Sequence, residues 1–288
     1  MPHSKTLDEN YLILGLNALA RAHTMDYFRD GHHGAAVVAA YFLCREVALE
    51  DGVTDAIRGL IDEQWASHEI FAPFPDEVAD PDGEARIIES LERGIGQLRQ
   101  AGHNVIFPSL ALKAFQQMPE VLTRSRVDGI CALIDSFTPT EIELDENDHI
   151  PDLGSGSAGA ELILSEMLKF IVRFDGWGQG WSGHLLTYGR ALLDLREMGY
   201  ESTAEKGAHA FKLNLKRGGM LLAEDLSRPE HPPTELRPVH REYWEPRKTE
   251  PLGLGHVFKY PYAFYGLMAM AEDPELKRRC HEQAFHIL

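Results

Sequence analysis

The sequence predicts an all-α protein made of repeated helical units, arranged as an α/α toroid or an open superhelix. Three observations carry this. Apolar residues recur at helical spacing through most of the chain. No segment alternates apolar and polar residues over a strand's length between turn signals. The dipeptide Gly-His occurs four times, as Gly31-His32, Gly102-His103, Gly183-His184 and Gly255-His256, spaced 71, 81 and 72 residues apart. Seven residues after each His stands Ala39, Leu110, Ala191 or Ala263, and eleven after stands Leu43, Ala114, Leu195 or Leu267. Positions four apart share one helical face, so each Gly-His leads a helix of similar pattern. A weak repeat of this kind implies one supersecondary unit copied and stacked. The units are expected at approximately 7–68, 84–138, 159–217 and 240–288, within one domain covering 1–288.

Taken in order, Leu7 to Arg29 reads as a first helix, and His33 to Leu49 as a buried Gly-His helix of small apolar residues. Val53 to Ser67 is amphipathic through Ile57, Leu60, Ile61 and Trp65. Pro73, Pro75 and Pro81 make Glu69 to Gly83 a loop. The second unit places helices at Glu84–Ala101, Asn104–Gln117 and Glu120–Phe137, the last opened by Pro119. Leu60-Ile61-Asp62 recurs as Leu133-Ile134-Asp135. An acidic loop, Glu141 to Asp152, and a Gly-Ser joint, Gly154 to Ser157, lead to a helix over Ala160–Phe174. Trp177-Gly178-Gln179-Gly180-Trp181 reads as a pliable loop before helices at Leu185–Met198 and Ser202–Lys216. Gly218 to Gly255 is proline-rich and irregular. Within it, Arg237 to Trp244 is either a lid over a pocket or a surface crossing. Helices at Val257–Ala271 and Pro274–Phe285 close the chain.

Composition narrows the function classes. A formal charge of −17 repels phosphate backbones and anionic lipid, so neither nucleic acid nor a membrane surface is an expected partner. Cys44, Cys131 and Cys280 are far apart and lie on apolar stretches, so they are expected to be buried and reduced. The first residues have no apolar signal region, which points to the cytoplasm. There is no Gly-x-Gly-x-x-Gly after a strand, no Walker loop, no Gly-x-Ser-x-Gly elbow and no His-Glu-x-x-His. The run Asp145-Glu146-Asn147-Asp148 lacks the glycine and closing glutamate of a calcium loop and reads as solvated.

The candidate chemistry therefore rests on histidine. His32, His103, His184 and His256 are each expected in the first turn of a helix, where free N–H groups and the helix dipole lower imidazole basicity. A neutral imidazole is what a metal or a general base requires. If the units close on themselves, His103, His184 and His256 meet one of His32 or His33 around one cavity. Adjacent helical residues point about 100° apart, so only one of those two faces a common centre. Trp177, Trp181 and Tyr188 flank the third Gly-His, and Tyr260 and Tyr262 lie on the last helix. Their rings are candidate substrate-binding walls.

Gly31-His32-His33-Gly34-Ala35-Ala36, followed by Ala40-Tyr41-Phe42-Leu43, resembles the His-His helix of the questin oxidase-like family. His103-Asn104-Val105-Ile106-Phe107-Pro108, followed by Ala111-Leu112, is similar to that family's later His-initiated helices. The resemblance implies an all-α enzyme that oxidises cyclic polyketide-like compounds with a reduced nicotinamide cofactor, and it carries over only His32, His33 and His103. The expectation is a small-molecule enzyme of secondary metabolism, with oxidation the favoured reaction and a small-molecule substrate the partner. NADPH and a His-bound transition metal are the candidate cofactors. A non-catalytic helical-repeat binding protein and a metal-dependent hydrolase or lyase are the alternatives.

Overall fold

Helix formation follows the predicted periodicity, with a systematic difference at the histidines. The computed structural model describes residues 6–171, 177–224, 235–284 and 287–288. The α-helices are α1 (Asn10–Ala22), α2 (Tyr27–Glu46), α3 (Val53–Gln64), α4 (Gly83–Glu92), α5 (His103–Gln117) and α6 (Arg124–Ser136). They continue with α7 (Gly156–Ile171), α8 (Trp177–Glu197), α9 (Glu201–Glu224), α10 (Arg241–Trp244), α11 (His256–Met270) and α12 (Pro274–Gln283). Among the described residues there is no β-strand, and no helix is long and apolar enough to cross a membrane.

Several boundaries differ from expectation for local reasons. The first helix stops at Ala22, and α2 starts at Tyr27, because Asp26 caps it by accepting the Arg29 N–H at 3.0 Å. The helix expected to run to Ala101 ends at Glu92. A 3-10 turn, Gln100–Gly102, then carries Gln100, Ala101 and Gly102 at positive φ. Pro119 opens a 3-10 turn rather than α6. The Gly-Trp segment is helical from Trp177, not a loop. Glycine costs a helix only about 1 kcal/mol, and the burial of α8 from Ser182 onward outweighs that. α9 runs past Lys216 to Glu224. The expected helix ends at Phe174 and Phe285 lie outside the described residues.

The four Gly-His pairs are of two kinds. Gly102 (φ 89°) and Gly255 (φ 67°) adopt a left-handed conformation, and His103 and His256 are the first residues of their helices. Both helices are 15 residues long with a proline five residues after the histidine, Pro108 and Pro261. His32 and His184, by contrast, lie in the interiors of the longer helices α2 and α8, which corrects the expectation of four helix starts. The kinds alternate along the chain, interior at His32 and His184 and helix-initiating at His103 and His256.

The chain divides into two compact units. Unit 1 draws on Met1–Leu91, Phe107–Ser136 and Leu236–Tyr262; unit 2 draws on Glu92–Ile106, Phe137–Glu235 and Ala263–Leu288. In unit 1, α1 packs against both α2 and α6 with backbone-to-backbone approach. A Cβ on Gly34 would stand 2.7 Å from Leu19 N, and one on Gly129 only 2.0 Å from Ala20 O. These close approaches leave α1 and α2 buried over most of their length. Trp244 is fully buried, donates its indole N–H to Pro238 O at 2.8 Å and stacks on Phe258. The Arg237–Trp244 segment is thus anchored in the core of unit 1. In unit 2, Lys216 on α9 binds Asp145 at 3.1 Å and Asp148 at 2.6 Å. The acidic loop is held by a lysine rather than merely solvated. Cys44 and Cys280 are buried free thiols, pushed up by burial to pKa values of about 12 and about 11. Cys131 forms no disulfide among the described residues and is only half-buried, contrary to expectation, because its face of α6 is partly open.

Candidate functional site

Each unit pairs one interior histidine with one helix-initiating histidine. In unit 1 the pair is His32 and His256, with ring centroids 5.3 Å apart and coordinating nitrogens within 4.8 Å. In unit 2 the pair is His103 and His184, with ring centroids 4.5 Å apart and Nε2 atoms 2.8 Å apart.

The same packing builds both pairs. A Cβ on Gly255 would meet Ala36 Cβ at 2.4 Å, and one on Gly102 would meet the Tyr188 ring at 2.5 Å. Ala36 and Tyr188 each lie one helical turn after the interior histidine, His32 or His184. Only glycine combines the left-handed φ with so close an approach. The helix that follows therefore starts beside the partner imidazole.

Two of the four rings have their tautomer set by a backbone carbonyl. His32 Nδ1 lies 2.6 Å from Phe28 O, one turn earlier in α2. His103 Nδ1 is bonded to Gln100 O in the preceding 3-10 turn. A carbonyl only accepts, so Nδ1 carries the proton in both, and Nε2 presents its lone pair. In unit 2 that lone pair faces His184 Nε2. The two nitrogens share either one proton, donated by His184, or one coordinated cation. Two cis ligands at ordinary metal–imidazole bond lengths of about 2.0–2.1 Å stand roughly 2.9 Å apart. Backbone bonding of the remote nitrogen is the outer-shell device that orients metal-ligating histidines.

Aromatic rings enclose the pairs. Phe28 and Phe107 flank His32 at 4.5 and 5.1 Å, and Tyr260 stacks on His256 at 4.6 Å. Phe137 stacks on His103 at 6.0 Å. No protein-family model, curated protein or solved structure matches this chain. The functional reading therefore rests on this geometry.

The remaining candidate residues separate into different roles. His33 donates from Nε2 to Gly253 O at 2.9 Å and stacks on Trp65 at 4.7 Å, so it ties α2 to the loop before α11. Tyr260 stacks on the paired imidazole of His256 in its own unit. Tyr188 is fully buried, bonds Gly207 O and packs on Phe211. The Tyr262 hydroxyl accepts from Lys113 Nζ at 2.8 Å. Trp181 lies in the first turns of α8, against Gly218 and Phe170, and not on a loop. The Trp177 side chain lies outside the described residues. Sequence reasoning missed Lys259, a buried amine on α11. Its signal is a lone charge between Phe258 and Tyr260 on a helix otherwise apolar after its first residue.

His33 makes acid stability testable. Burial pushes its pKa below the ordinary value of 6.5, outweighing its bond to Gly253 and the nearby Asp30. A depressed folded-state pKa means the unfolded chain binds the extra proton first. The stabilising contribution is present above 6.5 and is lost as pH falls toward the folded-state value. Melting temperature should therefore fall from pH 7 to pH 5, and His33→Gln should show a shallower fall, since Gln keeps a donor for Gly253 without titrating. Parallel slopes for the two proteins would contradict this.

Proposed function

We propose that the protein is a cytoplasmic small-molecule oxidoreductase of secondary metabolism, acting on a cyclic apolar substrate. Its scaffold is one of repeated α-helical units, and its redox group is a transition metal held by histidine. The observation that carries this reading is the fixed tautomer of His103, with its Nε2 lone pair aimed at His184 Nε2. A buried imidazole pair of this kind is a ligand set for iron, copper or zinc. His103 and His184 supply two ligands of that metal. The metal supplies the one-electron chemistry, and the aromatic shell excludes water. A reduced nicotinamide is the candidate electron donor on the strength of the sequence resemblance.

Elemental analysis of the purified full chain tests the reading. The expected result is about one transition-metal ion per chain, lost in His103→Ala. Removal of the metal by a chelator should lower the melting temperature, and its return should restore it. Iron or copper supports the oxidoreductase, whereas redox-inert zinc would favour a hydrolase or lyase. A chain that stays metal-free after exposure to all three overturns the proposal.

A further inference from the structure

A lysine almost never stays in a protein interior without a carboxylate, because an unpaired buried ammonium costs several kcal/mol. Lys259 is 2% exposed, and among the described residues no acceptor or acid engages it. This is in a chain where Asp and Glu outnumber Lys and Arg by 45 to 28. The way out of that cost is loss of the proton, and a neutral amine is a nucleophile. Desolvation indeed drives its pKa well below the ordinary 10.5.

The surroundings suit chemistry more than packing. Lys259 lies one helical turn after His256. Its Nζ stands 5.7 Å from the Phe107 ring, the same ring that meets His32 edge-on. The amine and the unit 1 imidazole pair therefore share an apolar wall.

We propose that Lys259 is a reactive amine that captures a carbonyl-bearing small molecule as an imine. The amine nitrogen attacks the carbonyl carbon to give a carbinolamine. Both amine protons then leave with the carbonyl oxygen as water, and a carbon–nitrogen double bond remains. No oxidant or reductant enters. Dehydration needs an acid–base group, and His256 on the same helix supplies one. The inference rests on unit 1 alone and stands independently of a metal at His103 and His184.

Reductive trapping tests it. The full chain is treated at pH 7 with benzaldehyde and sodium cyanoborohydride, digested, and mapped by mass spectrometry. Exposed lysines are almost wholly protonated at that pH, and the α-amine, with a pKa of about 8, is the competitor. The benzyl adduct is expected at Lys259 in roughly tenfold or greater yield than at any other lysine. Lys259→Met should remove that adduct alone. Because the wild-type map decides by itself, misfolding of the variant does not blunt the test. His103→Ala should lose metal yet label normally, so failure of one reading is distinguishable from failure of the other. Absence of the adduct at Lys259, or labelling no greater than at exposed lysines, overturns the proposal.

Discussion

Gly129→Ala should destabilise the protein by roughly 3 kcal/mol or more, at the upper end of what overpacking costs. The added Cβ would lie 2.0 Å from Ala20 O and 2.9 Å from Ala20 Cα. Those are backbone atoms of α1, so no rotamer change relieves the overlap, and α1 and α6 must separate. Separation strips the apolar contacts that bury α1. A loss of this size is a large share of a typical total stability of about 5–15 kcal/mol. Gly59→Ala in α3 is the control, since nothing lies within 4 Å of its added Cβ. There the gain in helix preference should stabilise by about 0.5–1 kcal/mol. Urea unfolding measures both. Equal midpoints for the two variants would show that the α1–α6 approach is not as close as described.

Asp194→Ala should cost about 3–5 kcal/mol. Arg190 and Asp194 lie one turn apart on α8, 2.7 Å from each other, with side chains 6% and 4% exposed. The guanidinium also packs against Gly266 and Met270. Removing the carboxylate takes a buried, close counter-charge from the guanidinium, and Glu197 at 3.7 Å is half-exposed and farther away. Replacing both partners by apolar residues, as in Arg190→Met with Asp194→Leu, should recover most of the loss, because the desolvation of both charges disappears too. Thermal unfolding of the single and double variants checks this. A single-variant loss below about 1 kcal/mol, the worth of an exposed pair, would contradict the burial assigned to it.

Much of the fold was legible because its signals are local. Helical periodicity and the helix-leading Gly102 and Gly255 act within a few residues, whereas the Asp26 cap was overlooked and the first helix expected to run through it to Arg29. The two kinds of Gly-His were legible in principle: a proline follows His103 and His256 by five residues, while Val37 and Gly189 occupy that place after His32 and His184. The Gly-Trp segment misleads because glycine's preference for loops is weak and burial of α8 overrules it.

The candidate site was half legible. The four histidines stand out by type and spacing, but their partners do not. His32 meets His256 through the packing of Gly255 on Ala36, and His103 meets His184 through Gly102 on Tyr188. Such pairings come from tertiary contact and leave no local pattern. The carbonyls of Phe28 and Gln100 that set the tautomers belong to the backbone, which no side-chain motif reports. His33 looked equivalent to His32, but the 100° rotation between neighbours turns it onto Trp65 instead.

The central claim is that His103 and His184 present nitrogen lone pairs to one metal ion. X-ray absorption at the metal edge, on the metal-loaded full chain, tests it most directly. The account predicts a first shell containing nitrogen at about 2.0–2.1 Å with imidazole outer-shell scattering, and a measurable loss of that scattering in His103→Ala and in His184→Ala. A metal site whose spectrum is unchanged by either substitution would contradict it.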